Sequence, residues 1–362
     1  MKIIISLMLL FQLYIYGQPK ILIPFPPQVL HAENGNSVLF EIHLADTSRV
    51  PIEVLDCKIK RNSKVLYSNR QFIASPHKDD VNRYYKNIWL AGIETGKLVI
   101  EVKCKVGNDL FKVTREVQIE NKKPLSILPP MGKGIWWAYE GPDSLSAHRT
   151  SFQKVARVFD ERNNGFLLGY NNQRFATDWM MFGDENKLYR NDGRKNTDYY
   201  GFGQPVIAAA EGKVLRVKDA IPDNTPPGID IDINLETGYG NCVVIDIGDS
   251  VIAYYAHLKV NSIKIREGDF VKKGDVIGAV GNSGISTAPH LQFELGKLSV
   301  PFGESSFGIK SQSISFVFDK YYHLGKALDS KDEIPVPAVK MNNTEKQILN
   351  KLPVSWEIIK VE

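Results

Sequence analysis

The stretch from Tyr254 to Leu295 constrains the fold more than any other part of this 362-residue chain. Its short runs of β-branched residues are separated by glycines, a pattern that is typical of β-hairpins. Two histidines, His257 and His290, bracket it. Because alternate residues of a strand point to the same side, His290 and Gln292 are predicted to share one face. The stretch therefore predicts a β-sheet with a histidine-bearing polar face.

The sequence around this stretch predicts a larger, mostly antiparallel β domain over residues 123–325. Alternating apolar residues recur in 205–218, 241–248 and 250–258, and the last two segments are predicted to form a hairpin around Asp249. No long segment has helical periodicity, so the functional groups are expected on strands and polar loops.

The two ends of the chain are expected to differ from this domain. Residues 18–122 consist of short alternating segments at the spacing of a sandwich, which predicts an immunoglobulin-like β-sandwich and hence an all-β fold. Residues 326–362 are more polar and are predicted to be a peripheral C-terminal tail, with a short helix near Thr344–Leu352.

The first 17 residues have the pattern of a secretory signal peptide. Lys2 precedes an apolar run that ends at Gly17. The run is shorter than the roughly 20 residues that a spanning helix needs, so no stable membrane span is expected after its removal. The pattern therefore predicts a secreted or periplasmic protein. The net charge of +4 is spread along the chain without a basic cluster, which argues against nucleic-acid binding.

Cysteine usage leaves two alternatives for the N-terminal region. Cys57 and Cys104 lie in strand-like segments of the same region. They would form a disulfide in an exported protein or remain as two buried thiols. Cys242 lies in a strand-like segment and is predicted to be a core residue.

An ordered set of motifs runs through the second half of the chain. In sequence order these are Asp178 within residues 173–179, Gly-Phe-Gly-Gln-Pro-Val at 201–206, Tyr-Ala-His-Leu at 255–258, Gly-Asn-Ser-Gly at 281–284 and His-Leu-Gln-Phe-Glu at 290–294. This order and spacing resemble the M23 family of zinc metallopeptidases, the lysostaphin or LytM type, over roughly residues 132–320. The resemblance implies a β-sheet domain with a groove.

The resemblance also implies a catalytic zinc site. Enzymes of that family hold zinc with a His and an Asp from one strand motif and with the second His of a His-x-His pair, leaving a position for water. The metal polarises the carbonyl of the bond to be cleaved. Asp178 matches the metal-binding Asp, whereas His257 and His290 match two histidines that assist catalysis.

Two positions depart from the family pattern. Arg174 stands four residues before Asp178, where the family has its first zinc-binding His, and a guanidinium has no lone pair to donate. His148, the only spare histidine nearby, is the candidate to replace it; the alternative is a solvated loop histidine. Gln292 stands where the second His of the pair is expected, and its amide oxygen is a poorer zinc donor than imidazole. The metal candidates are therefore Asp178, His148 and Gln292, unless Asp178 instead pairs with Arg149 or Arg174.

Two functions follow from the resemblance. The first is an exported M23-like metalloendopeptidase that cleaves peptidoglycan peptides by zinc-assisted amide hydrolysis. The second is a catalytically degenerate LytM-type protein that binds the cell wall or activates a wall amidase. Both predict a peptidoglycan peptide or a cell-wall protein as the partner.

Overall fold

A computed structural model gives the structure of most of the chain. It describes residues 18–46, 50–74, 83–120, 122–143, 146, 148, 158–160, 166–168, 171–228, 237–298, 311–327 and 339–362. The predicted signal peptide, residues 1–17, lies outside the described residues. Strands make up 57% of the structure and helix 3%, which confirms the predicted all-β class.

The described residues form strands of very different lengths. The first nine strands are β1 (Lys20–Leu22), β2 (Gln28–Ala32), β3 (Gly35–Ala45), β4 (Ile52–Arg61), β5 (Lys64–Ser68), β6 (Ile73–Ala74), β7 (Arg83–Ala91), β8 (Gly96–Val106) and β9 (Asp109–Ile119). The next eight strands are β10 (Leu125–Ile127), β11 (Gly134–Glu140), β12 (Val158–Asp160), β13 (Phe166–Leu168), β14 (Thr177–Phe182), β15 (Pro205–Ile207), β16 (Gly212–Lys218) and β17 (Asn241–Asp246). The last eight are β18 (Val251–Leu258), β19 (Phe270–Val271), β20 (Val276–Ala279), β21 (Leu291–Leu298), β22 (Ser311–Ser313), β23 (Phe316–Ala327), β24 (Val339–Lys351) and β25 (Glu357–Val361). Two single-turn 3-10 helices, Asp184–Asn186 and Asn196–Asp198, lie between β14 and β15.

The chain separates into two compact units. The first comprises Met1–Ile23, Ile42–Lys86 and Lys97–Val117. Its main sheet has the strand order β5-β4-β8-β9. Cys57 and Cys104 lie on the paired strands β4 and β8, and both are buried free thiols. The immunoglobulin-like arrangement stays a prediction.

The second unit comprises Pro24–Glu41, Asn87–Gly96 and Gln118–Glu362. It contains a twelve-stranded sheet with the order β10-β23-β25-β11-β14-β21-β18-β17-β16-β19, in which β22 also pairs with β21 and β24 with β23. The predicted hairpin around Asp249 is present in this sheet, because β17 and β18 are antiparallel neighbours. The three adjacent strands β14, β21 and β18 lie in the middle of the sheet.

Residues 24–41 and 87–96 come from within the region predicted as the N-terminal domain, yet they group with the second unit. Their apolar side chains explain this grouping. Leu30 and Leu39 belong to the same buried core as Trp136 and Trp179, and Trp89 packs against it. Burying these side chains stabilises the second unit by removing apolar surface from water.

The structure corrects the prediction for the C-terminal end. The described part of residues 326–362 is not a peripheral tail, because β24 and β25 are strands of the twelve-stranded sheet and β25 lies between β11 and β23. The predicted helix near Thr344–Leu352 is wrong, since this segment continues β24. Ile358 and Ile359 of β25 are fully buried, so tertiary packing holds this segment in the sheet.

A membrane-spanning helix is not found in the part of the chain that the structure describes: none of its helices has the necessary length and hydrophobicity.

Candidate metal and catalytic site

Strand register brings the predicted site residues together. Asp178 on β14 lies directly opposite Gln292 on β21, and Gln292 lies opposite Ala256 on β18. His257 follows Ala256, and His290 immediately precedes β21. Side chains that are opposite each other on neighbouring antiparallel strands lie about 5 Å apart at Cβ. Pairing of distant segments therefore assembles one polar cluster from three strands.

The segment 171–176 before Asp178 is not part of a strand. Residues 172–175 form turns, and β14 begins only at Thr177. Two contacts hold this segment to Glu41: the Asn171 backbone N–H donates to the carboxylate at 2.9 Å, and the Arg174 Nη2 lies 2.6 Å from it. Arg174 is 2% exposed and paired with Glu41, so the Asp178–Arg174 alternative is wrong. Arg149 lies outside the described residues.

His148 and His290 both approach the Asp178 carboxylate. The His148 Nε2 lies 3.0 Å from Asp178 Oδ1, and the His290 Nε2 lies 3.8 Å from Asp178 Oδ2. The structure thus brings the predicted replacement histidine next to the predicted metal-binding aspartate. Both ring nitrogens face the carboxylate from different segments of the chain.

Electrostatic attraction between His148 and Asp178 shifts the pKa values of both side chains. Burial on its own would lower the pKa of His148, but attraction and hydrogen bonding to Asp178 outweigh it and raise that pKa to about 9. Burial likewise opposes ionisation of Asp178, but the attraction of His148 and then of His290 lowers its pKa to about 2. Without metal the pair is an imidazolium–carboxylate ion pair at neutral pH.

His290 presents one defined ring nitrogen to the cluster. Its Nδ1 lies 2.8 Å from the Ala288 carbonyl oxygen and 3.1 Å from the Ser286 hydroxyl. A carbonyl oxygen can only accept, so Nδ1 carries a proton and donates to Ala288. In the neutral ring the Nε2 that faces Asp178 is therefore the basic nitrogen.

His257 is held from two sides beside His290. The ring centroids of the two histidines are 4.7 Å apart. The His257 Nδ1 donates to the Ser283 carbonyl at 2.8 Å, and its Nε2 lies 3.0 Å from Gln292 Oε1. Burial, followed by repulsion from His290, lowers the pKa of His257 to about 4. The ring is neutral at neutral pH, and its Nε2 is an acceptor.

The contact between His257 and Gln292 needs a donor, because the His257 Nε2 accepts. The amide nitrogen of Gln292 is the donor that this side chain offers, and it is buried with no hydrogen-bond partner where it now lies. Turning the amide by 180° satisfies the contact and frees the oxygen, the only side-chain atom of Gln292 that can bind a cation.

The backbone of Gly240 packs closely against the Ser283 carbonyl that accepts from His257. His257 has a left-handed φ of 59°, and Gly240 has a φ of 61°. A Cβ at Gly240 would lie 2.4 Å from the Ser283 carbonyl oxygen. Only glycine fits there, so this packing is a condition for the hydrogen bond that orients His257.

Two carboxyl groups complete the cluster, and the sequence did not indicate either of them. Glu140 lies opposite Asp178 on β11, and Glu140, His148 and Asp178 offer ligand atoms within 4.8 Å of one another. Glu294 is buried on β21. Burial raises its pKa to about 8 against the attraction of His148, so it is protonated at neutral pH. The only sequence signal for Glu140 is its place at the end of an apolar strand.

A second group of possible ligands occurs among the described residues of the second unit. Glu33, His323 and Glu357 also offer ligand atoms within 4.8 Å of one another. Here the ammonium group of Lys346 lies 2.9 Å from Glu33, and the Asn34 amide donates to Glu357 at 3.4 Å. A cation of the chain itself already occupies this cluster, which makes it a weaker candidate than the first.

The donor chemistry of the first cluster fits a zinc ion. Two ligands at about 2.0–2.1 Å from a tetrahedral zinc lie roughly 3.3 Å apart. The 3.0 Å between His148 Nε2 and Asp178 Oδ1 is close to that spacing. Imidazole and carboxylate are both common zinc ligands. The residues that could hold the ion are His148, Asp178 and Glu140, with the oxygen of Gln292 as a weaker donor.

Comparisons with known proteins agree with the motifs. The model of peptidase family M23 matches residues 195–303, a segment that includes His257, His290 and Gln292 but begins after His148 and Asp178. The DD-carboxypeptidase/endopeptidase Mpg of Neisseria meningitidis is 40% identical over 92 residues, which are 25% of this chain and 17% of that protein. The murein hydrolase activator NlpD of Escherichia coli is 32% identical over 104 residues, 28% of this chain and 23% of that protein.

A solved structure covers a similar part of the chain. A mutant catalytic domain of the prophage-encoded M23 protein EnpA from Enterococcus faecalis has 26% sequence identity and a TM-score of 0.23. The match covers 38% of this chain and 92% of that one. The chain matches less than a quarter of the length of the two relatives above, so the similarity concerns the domain and not those whole proteins.

Proposed function

We propose that this chain is an exported zinc-dependent peptidase that hydrolyses an amide bond in peptidoglycan peptides, because residues 195–303 match the model of peptidase family M23. One observation carries the proposal: the His148 Nε2 lies 3.0 Å from Asp178 Oδ1, beside the His257–His290 pair. An imidazole and a carboxylate at ligand spacing stand next to a second imidazole that can move a proton.

The metal would be held by His148 and Asp178. When bound, the zinc ion would supply Lewis-acid chemistry at the carbonyl of the bond to be cleaved. Because His148 is protonated in the metal-free protein, it has to lose that proton before its nitrogen can bind the ion.

His290 is the residue that moves protons. Its Nδ1–H is tied to the Ala288 carbonyl, so the ring cannot rotate freely and its Nε2 stays directed at the cluster. In this proposal Nε2 accepts a proton from the attacking water and then donates it to the leaving amine. His257 keeps its Nδ1–H on Ser283 and contacts Gln292 through Nε2, which holds Gln292 in place.

The class of substrate comes from the relatives. Mpg is described as a carboxypeptidase and endopeptidase, and NlpD as an activator of murein hydrolases. The apolar run of residues 1–17 supports export to a compartment where peptidoglycan is accessible. These points favour a wall peptide over a general protein substrate.

The test is digestion of purified peptidoglycan and of soluble muropeptides by the zinc-loaded protein. New amine groups should appear with the wild type and disappear in His290→Ala and Asp178→Asn, and thermal melts check that each variant is folded at the assay temperature. An Asp192→Asn variant, at an exposed aspartate, is the control. Release of amines by Asp178→Asn at the wild-type rate would refute the proposal.

A second function is favoured by one specific observation. Gln292 replaces an imidazole of the family pattern, and NlpD activates other enzymes. A binding or activating protein would bind muropeptides without cleaving them and would stimulate a separate wall amidase. Equal binding by wild type and Asp178→Asn, with no cleavage by either, would favour this function.

A further inference from the structure

We propose that Glu140 is a ligand of the metal and replaces the imidazole that is missing at Gln292. This inference rests on the zinc site of the proposed function but extends it to a residue outside the matched segment 195–303. It gives the ion a donor set of one imidazole nitrogen and two carboxylate oxygens, from His148, Asp178 and Glu140.

Strand pairing places Glu140 in the cluster. Glu140 is the last residue of β11 and lies opposite Asp178, next to an irregularity in the register after Ala138. Asp178 thus has Glu140 on one side and Gln292 on the other. The ligand atoms of Glu140, His148 and Asp178 lie within 4.8 Å of one another, which a small movement of side chains would bring to the roughly 3.3 Å of a tetrahedral site.

The hydrogen bonds of Glu140 leave it able to bind a cation. Its Oε1 accepts from the His148 backbone N–H at 2.8 Å and from the Ser146 hydroxyl at 3.0 Å. Both bonds use the same oxygen, and the Oε2 takes part in neither. One oxygen therefore positions the segment that carries His148, and the other is available to the ion.

Charge also favours Glu140 over Gln292 as the third ligand. Two carboxylates and a neutral imidazole balance the charge of a divalent cation, whereas a neutral amide adds only a weak dipole. In a buried site an uncompensated charge is costly, so a carboxylate adds more affinity than an amide oxygen. The resulting donor set has one more carboxylate oxygen and one fewer imidazole nitrogen than the His-Asp-His set of the family.

Glu140 could instead act only by positioning His148, and the choice of variant separates the two roles. Glu140→Gln keeps an oxygen that can accept from the His148 N–H and the Ser146 hydroxyl, but it removes the charge. Glu140→Ala removes both. A residue that only supports a ligand typically changes metal affinity 10- to 100-fold, and the conservative variant should spare most of that.

The experiment is a zinc titration of the full chain, competed against a chromogenic chelator, with bound zinc counted by mass spectrometry. We expect Glu140→Gln to weaken zinc binding by more than about 100-fold and Glu140→Ala to weaken it at least as much. The double variant Glu140→Gln/Gln292→His should recover most of the loss, because an imidazole then returns to the third position. His323→Ala, which disrupts the other cluster of possible ligands, is the control and should bind like wild type.

Either of two other outcomes would contradict the assignment of Glu140 as a metal ligand. If Glu140→Gln binds zinc like wild type, Glu140 is at most a positioning residue, and the proposed peptidase function is untouched. If the wild type binds no zinc while its melting curve shows a folded protein, the proposed function fails together with the inference. Thermal melts of every variant identify any loss of binding that is due to unfolding.

Discussion

Asp178 and Gln292 lie directly opposite each other on the neighbouring strands β14 and β21. The carboxylate that is predicted to bind the metal thus stands beside an amide where the family pattern has an imidazole. Gln292 is buried and also contacts His257, so it is part of the site although it is a poor ligand. The residue opposite the carboxylate is therefore buried in the site but offers only a weak donor to a metal.

Replacing this amide by imidazole should strengthen metal binding. Gln292→His places a nitrogen donor opposite Asp178, and imidazole is a better zinc ligand than an amide oxygen. We expect zinc affinity to rise by at least about 10-fold in a chelator competition. Gln312→His, on β22, is the matched control and should change nothing. No gain in Gln292→His would mean that residue 292 does not reach the bound ion.

Arg174 should not become a ligand when it is changed to histidine. Its side chain is buried against Glu41 at 2.6 Å, although it stands at the sequence position of the family's first zinc ligand. We expect Arg174→His to leave zinc affinity unchanged. The variant should lose about 3–5 kcal/mol of unfolding free energy, because the buried Arg174–Glu41 ion pair is broken.

Urea denaturation measures this loss, and Arg194→His, at an exposed arginine, is the control. A zinc affinity that increases in Arg174→His would show that residue 174 faces the metal and would contradict the structure.

Ionisation of Glu357 should make stability depend on pH. Burial raises its pKa to about 7, against a backbone hydrogen bond from Val354, and the side chain is 1% exposed. The folded state therefore binds a proton that the unfolded chain releases near pH 4.3. The contribution of Glu357 to the unfolding free energy is fully present below about pH 4.3. It is lost as the pH rises from there through about 7.

We expect the unfolding free energy to fall by on the order of 2–3 kcal/mol between pH 4.5 and pH 8 through this group. Urea midpoints at several pH values measure it. Glu357→Gln should reduce the slope, whereas Glu345→Gln, at an exposed position, should keep it. An identical slope in wild type and Glu357→Gln would show that another group causes it.

The three cysteines should be unreactive thiols in the folded protein. Cys57, Cys104 and Cys242 are buried, and burial raises their pKa values to about 12, 11 and 12. The thiolate is the reactive form, so Ellman's reagent should label none of them quickly in buffer. In denaturant it should label all three. A single reactive thiol under those conditions would reveal a Cys57–Cys104 disulfide, and Cys104→Ser would then label two.

The sequence predicted the parts of the site that depend on residue chemistry and local spacing. The order of the motifs identified Asp178, His257 and His290, and the scarcity of histidines pointed to His148. The structure brings these four side chains into one cluster. The motif pattern was sufficient for Asp178, His257 and His290 because each lies in or beside a strand that is recognisable from its own residues.

Contacts between distant segments could not be predicted in the same way. The Glu41–Arg174 ion pair joins residues 133 positions apart, and Glu140 approaches Asp178 only through pairing of β11 with β14. The C-terminal residues look polar in sequence, yet β25 is inserted between β11 and β23. Local propensity carries little information on which strand pairs with which.

The sequence by itself determined the donors that are available: an arginine without a lone pair at 174, an amide at 292 and the histidines and acids that can bind a metal or move protons. Only the tertiary structure decided which of them meet. Strand order and register follow from burying apolar faces across the whole sheet, and this global balance places Glu140 and His148 beside Asp178 while it turns Arg174 towards Glu41.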